Sequence, residues 1–210
     1  IARCCESGIL VSIGHTAASP EQIREAVQAG AVMSTHLGNG AHLMLPRHPN
    51  YLWEQLAADE LYGCMIADGH HLPPSVLSVI LRMKRKRAIL VSDAVSLSGM
   101  PPGSYRLHIG GDVVLTAEGR LHLAGQPQLL AGSARMLLDQ VSYLVEKGLA
   151  GLADAWDCAS AHPAKLLGLQ QAAGLEAGAP ADLVSFNMND GKLSMLQCWK
   201  NGRLRPQGNE

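Results

Sequence analysis

Four residues of this chain could do chemistry together: His15, His36, His71 and Asp93. Each closes a short apolar run. His15 follows residues 9–13 in Gly14-His15-Thr16, and His36 follows 31–35 in Thr35-His36-Leu37. His71 follows 61–67 in Ala67-Asp68-Gly69-His70-His71, and Asp93 follows 88–92 in Ser92-Asp93-Ala94. A neutral imidazole is the commonest side-chain ligand of transition metals. A carboxylate beside a metal can take a proton from bound water and return it to a leaving amine. A single histidine at a strand end reads equally well as a local hydrogen-bonding cap. The pair His15 and His36 points further, because neighbouring parallel strands lie roughly 4.8 Å apart and both rings then reach one ion. Asp93 taken alone reads equally as a brace for its loop. His71 could bind substrate or polarise a carbonyl, whereas His70 leaves the strand on the opposite side.

Two further segments could hold an anion. Arg47, flanked by His48 and Pro49, carries a fork that suits phosphate, although by itself it reads as a solvated surface arginine. Leu130-Ala131-Gly132-Ser133 is expected to precede a long helix, where a glycine turn offers backbone N–H groups to an anion or hydroxyl. That motif is weak, because many helices open on a small residue.

The elements that position these residues follow from pattern. Strands are expected over 9–13, 31–35, 61–67 and 88–92. Between them lie a helix capped by Ser19 with Pro20 in its first turn, a helix over 51–59, and one opened by Pro73 and Pro74 and running to about Lys84. Continuous apolar strands alternating with helices imply a parallel sheet covered on both faces. Active sites in such folds form at the C-terminal edge of the strands, where all four residues fall. The second half changes character. Residues 105–123 alternate in polarity, with turns at Gly110-Gly111 and Glu118-Gly119, and predict two or three antiparallel strands. Helices are expected over 129–147 and 152–167. Strands are expected over 181–186 and 196–204, with a turn at Asn201-Gly202.

Composition narrows the function classes. The 210 residues carry 17 Lys+Arg against 18 Asp+Glu, a net charge of −1 that gives no electrostatic reason for a nucleic-acid or anionic-membrane partner. No apolar run reaches the roughly 18 residues of a membrane span. The five cysteines, Cys4, Cys5, Cys64, Cys158 and Cys198, form neither a disulfide framework nor a zinc knuckle. They are read as reduced and mostly buried, in keeping with an intracellular protein. The opening residues Ile1 to Glu6, followed by Gly8, read as the tail of a helix, so the sequence is expected to begin mid-fold.

Taken in order, these pieces resemble the N-acetylglucosamine-6-phosphate deacetylase family of the amidohydrolase superfamily. The match runs through Gly14-His15-Thr16, Thr35-His36-Leu37 with Asn39, Arg47 with Pro49, Ala67-Asp68-Gly69 with His71, Ser92-Asp93-Ala94 and Leu130-Ala131-Gly132-Ser133. It continues through Ser160 with Pro163-Ala164, Gly174-Leu175 with Gly178, and Ala181-Asp182-Leu183-Val184. The last piece is common to the whole superfamily. The resemblance implies an α/β fold, the C-terminal half of a (β/α)8 barrel plus strands of a small β-sandwich. Residues 1–104 would hold barrel strands five to eight, 105–124 an inserted hairpin, 125–172 helices packed on the barrel, and 173–210 the sandwich strands.

It further implies His15 and His36 as ligands of a divalent metal, zinc by preference, with iron or another ion as alternatives. Asp93 would be the catalytic acid/base. Substrate would be bound by Asn39, Gly40, Arg47, His71, Leu130, Ala131 and Gly132. The implied reaction is hydrolysis of N-acetylglucosamine 6-phosphate to glucosamine 6-phosphate and acetate, by a cytoplasmic homodimer in which Arg47 reaches the partner's site. Gly38 and Gly40 stand where the family carries an aromatic residue and an alanine, which is expected to widen the pocket wall. Two other readings stand beside this one. One is a different amidohydrolase, of dihydroorotase, dipeptidase or other N-acyl amino-sugar type. The other is an inactive fragment lacking an upstream half.

Overall fold

The computed structural model describes residues 1–108 and 111–206. The first half builds one sheet. Strands β1 (Val11–Ile13), β2 (Ala31–Ser34), β3 (Tyr62–Met65) and β4 (Ala88–Leu90) lie side by side in chain order, all parallel. Burial deepens across it: β1 is only partly covered, whereas β4 is buried throughout. Ile9 and Leu10, which lead into β1, are exposed. The expected covering of both faces is thus reached at β3 and β4 and not at β1.

A short helix α1 (Ala2–Glu6) opens the chain, followed by Gly8 at positive φ. Helix α2 (Pro20–Gln28) starts where expected. Ser19 accepts from Gln22 N, Gln22 answers Ser19 N, and Pro20 occupies the first turn. Its Ile23 meets Ile13, Ala31, Tyr51 and Leu61 in one cluster. Helix α3 (Tyr51–Ala57) is capped by Asn50, whose side chain accepts from Leu52 N and Trp53 N. Helix α4 (Pro74–Lys84) buries Leu77, Ile80 and Lys84, a stripe at helical spacing against β3 and β4.

The second half departs from the sequence reading in three places. First, the antiparallel strands expected over 105–123 form as β5 (Gly103–Leu107), β6 (Gly111–Leu115) and β7 (Leu121–Leu123), and a fourth, β8 (Gln126–Leu130), follows them beyond that span. They enclose a small core of Leu97, Val113, Leu115 and Leu121. Of the turn expected at Gly110-Gly111, Gly110 lies outside the described residues. Second, the helix expected over 129–147 begins only at Leu137, as α5 (Leu137–Glu146). Leu129 and Leu130 belong to β8, and Gly132 at φ 108° turns the chain away. The segment Leu130-Ala131-Gly132-Ser133 is therefore not a helix N-terminus. Third, the helix expected over 152–167 is two, α6 (Leu152–Ala159) and α7 (Ala161–Leu166). Pro163 has no N–H to give the Ala159 carbonyl, so the helix breaks at Ser160.

The chain closes with an antiparallel sheet of β9 (Leu183–Asn189), β10 (Lys192–Lys200) and β11 (Arg203–Arg205), in the order β11-β10-β9. The turn expected at Asn201-Gly202 is present, with both residues at positive φ as a tight hairpin requires. Met65, Leu90, Val141, Leu144, Cys158 and Leu193 join parallel sheet, α5, α6 and β10 into one core. Two cysteines, Cys64 and Cys158, are buried, which lifts their thiols to about 11 and about 12. Cys4 is exposed and Cys5 and Cys198 are half-buried, so the expectation of mostly buried thiols holds for two of the five. No helix among the described residues is long and apolar enough to cross a membrane.

Candidate active site

All four chemically promising residues sit just beyond the C-terminal ends of the parallel strands, on one edge of the sheet. His15 and His36 are brought together: their ring centroids are 4.6 Å apart at an interplanar angle of 64°. The backbone explains this. Thr35 N donates to Ile13 O at 2.8 Å, and Leu37 N donates to Cys64 O at 2.7 Å, so the β2 end is held between β1 and β3. The Ser12 and Thr35 hydroxyls, 2.5 Å apart, add a cross-link beside them.

Both rings line a cleft with Gly14, Asn39, Gly40 and Tyr51. Two buried polar atoms in this cleft lack a hydrogen-bond partner, His36 Nδ1 and Asn39 Nδ2. An orphaned buried polar atom is costly, and an orphaned nitrogen on an imidazole packed beside a second imidazole fits a metal ion. His15 and His36 supply two donors. Among the described residues no group of three or more His, Cys, Asp or Glu is placed to hold a metal.

Gly40 behaves differently from the expected widening of the wall. A Cβ there would stand 2.1 Å from His15 Cε1 and 2.3 Å from Nδ1. The space freed by the missing side chain is filled by the His15 ring, and Gly40 also holds φ 64°.

His71 is set by a residue that sequence reasoning passed over. Asp68 Oδ2 lies 2.7 Å from His71 Nδ1, while Oδ1 accepts from His70 N and His71 N at 2.9 Å each. Burial by itself would raise the Asp68 carboxyl, but the His71 hydrogen bond and the two backbone N–H groups outweigh it and hold the group at about 2. Asp68 thus fixes the ring and leaves Nε2 for a ligand. The signal was present in Asp68-Gly69-His70-His71, where an aspartate can turn back on N–H groups two and three residues ahead.

Asp93 is exposed and carries φ 47°. Its loop is tied to the Leu130–Ser133 segment by a parallel bridge between Ala94 and Ser133, with Val95 N donating to Ser133 O at 2.9 Å. Leu130, Ala131 and Gly132 therefore stand beside the Asp93 loop. Arg47 is exposed on the loop before α3, and neither it, His71 nor Asp93 lines the His15–His36 cleft.

A family model described as "Amidohydrolase family" matches residues 4–204. The chain belongs to the amidohydrolase family. Its curated relatives bear out the narrower resemblance. This amidohydrolase chain is 33% identical to an N-acetylgalactosamine-6-phosphate deacetylase of Escherichia coli O157:H7, over 95% of its own length and 51% of the relative's. It is 34% identical to an N-acetylglucosamine-6-phosphate deacetylase of Vibrio furnissii, over 94% and 48%. Among solved structures, the N-acetyl-D-glucosamine-6-phosphate deacetylase of Mycobacterium smegmatis superposes with a TM-score of 0.84 at 30% identity, covering 97% of this chain and 53% of that one. A mutant of that enzyme, in complex with N-acetyl-D-glucosamine-6-phosphate, gives 0.82 at 31% identity over the same shares. The chain spans about half the length of the relatives it matches.

Proposed function

We propose that the protein carrying this chain hydrolyses the N-acetyl group of N-acetylglucosamine 6-phosphate to glucosamine 6-phosphate and acetate. The observation that carries this reading is the sheet edge itself, where two facing imidazoles, a carboxylate-held histidine and an aspartate end four successive parallel strands. The names of the relatives support the substrate class. The sheet would be strands five to eight of a (β/α)8 barrel, a reading supported by the superposition over 97% of the chain.

His15 and His36 would hold a divalent ion, zinc by preference and iron as the alternative, with further ligands from outside this chain. When bound, the ion acidifies a water and polarises the acetyl carbonyl. Asp93 takes the proton from the attacking water and delivers it to the departing amine. His71, held through Nδ1, presents Nε2 to the carbonyl oxygen as charge develops there. Asn39 Nδ2, Gly40 and the Leu130–Gly132 backbone line the sugar. Arg47, exposed and free to reach outward, binds the phosphate, in a homodimer at the partner's site. Substrate and product are sugar phosphates, which do not cross membranes freely, so the reaction belongs in the cytoplasm.

The test is acetate release by the full-length protein from N-acetylglucosamine 6-phosphate, its unphosphorylated form and N-acetylgalactosamine 6-phosphate. Release that requires the phosphate and is lost in Asp93→Asn is expected. Faster turnover of the galactosamine epimer, the substrate named for the E. coli relative, would change the sugar but not the chemistry. Release that is indifferent to phosphate would remove the role of Arg47.

A further inference from the structure

Gln140 lies in α5, fully buried, and its amide reaches two strands at once. Oε1 accepts from Ala67 N at 2.8 Å, and Nε2 donates to Val91 O at 3.0 Å. These partners fix which way the amide points, because the first offers only a proton and the second only a lone pair. Both contacts fall just past the sheet. The ladder between β3 and β4 closes with Val91 N donating to Met65 O at 3.0 Å. Beyond that bond the two strand ends are joined through the Gln140 side chain. Ala67 directly precedes Asp68, which holds His71. Val91 stands two residues before Asp93.

A buried amide is costly unless both of its ends are bonded, and here both are. The bond it makes is not a general packing contact, since it spans the gap between the two arms that carry His71 and Asp93. We propose that Gln140 is a positioning residue for the hydrolysis, setting the separation of the Asp68–His71 arm from Asp93 through Ala67 and Val91. It touches no substrate itself. The inference rests on the deacetylase reading and deepens it.

The experiment uses the full-length protein, with steady-state acetate release and bound-metal content measured together. Gln140→Met keeps the length and removes both bonds. Gln140→Glu keeps an acceptor for Ala67 N–H and loses the donor to Val91 O. His162→Leu is the control. His162 Nδ1 bonds Ala88 O at 2.7 Å, at the opposite end of β4, so its loss destabilises the same strand away from the site. Small misplacements of reacting groups cost up to about a hundredfold. Both Gln140 variants should therefore lose roughly ten- to a hundredfold in kcat, with KM within about threefold. Metal content should be unchanged, because His15 and His36 ride on other strands. His162→Leu should lower the thermal midpoint and leave kcat within about twofold.

Unchanged kcat in either folded Gln140 variant overturns the proposal, and so does an equal loss in His162→Leu. Failure of both Gln140 variants to fold makes the residue purely structural and overturns it too. An active wild type with unaffected variants sinks this inference alone. A wild type that releases no acetate sinks the deacetylase reading, and this inference with it.

Discussion

Among the described residues other than glycine, five hold positive φ, and two of these are residues proposed to do chemistry, His36 at 28° and Asp93 at 47°. Asp190 and Asn201 each precede a glycine in a tight hairpin, where such angles are ordinary. At His36 and Asp93 no hairpin demands them, and the backbone cost of order 1–3 kcal/mol is borne where function would need it. Asp93→Gly should therefore raise the denaturant midpoint, by about 1 kcal/mol in stability, while abolishing acetate release. Asp93→Asn, which tolerates the left-handed region, should leave stability unchanged and share the loss of activity. Asp68 supplies a pH-dependent prediction. Its side chain is 2% exposed, and its folded carboxyl lies at about 2 against an ordinary 3.8. The stability it contributes is thus complete above about pH 5 and is lost as pH falls through 2, about 2 kcal/mol in all. Equilibrium unfolding of wild type and Asp68→Asn should show a gap that closes over that interval. The strand-end histidines and Asp93 were legible because polar residues stood after apolar runs. Asp68 left a local signal in the two residues that follow Gly69, whereas Gln140 left none, since its meaning lies in a bond 73 residues away in sequence.

At the scale of elements, punctuation was the readable part. Ser19 with Pro20, Pro73 with Pro74 and Asn201-Gly202 each mark a boundary that the structure keeps. What misled was composition without position. Leu129 and Leu130 continue the leucine pattern of α5, yet they pair with β7 as an edge strand that even accommodates Pro127. Lys84 shows a further element-level device that no pattern announces. The residue is 4% exposed, and Nζ donates to Gln55 O at 2.6 Å and Ala58 O at 2.7 Å, closing the carbonyl end of α3. Burial pushes this amine down to about 8 from 10.5. The unfolded chain then binds the proton more tightly between those values, so stability should rise with pH from about 8 to 10.5. In Lys84→Met that rise should be absent, and two carbonyls would lose their donor, at about 1–3 kcal/mol each by chemical denaturation.

For the whole molecule, fold class was legible from alternation alone, while the extent of the site was not. A pair of imidazoles is half of a typical zinc site, and the chain spans about half of each relative. The isolated 210-residue chain should accordingly lose zinc on dialysis. Joined to the rest of the length that its relatives carry, it should retain the metal stoichiometrically. Metal analysis of the two preparations decides this, and equal retention in both would show that His15 and His36 suffice.

Helix α5 also reaches away from the site. Two residues along from Gln140, Ser142 Oγ accepts from Leu193 N at 3.0 Å, and Leu193 belongs to β10. One helix therefore grips the ends of β3 and β4 with one residue and the C-terminal sheet with another on its far face. Contacts shared through one helix tie the local stability of the two regions together. A fluctuation that lifted β10 would loosen α5, and with it the spacing of the strand ends. Substitutions on the distant sheet, chosen for expression or heat tolerance, would consequently be felt in turnover before any of them touched the substrate.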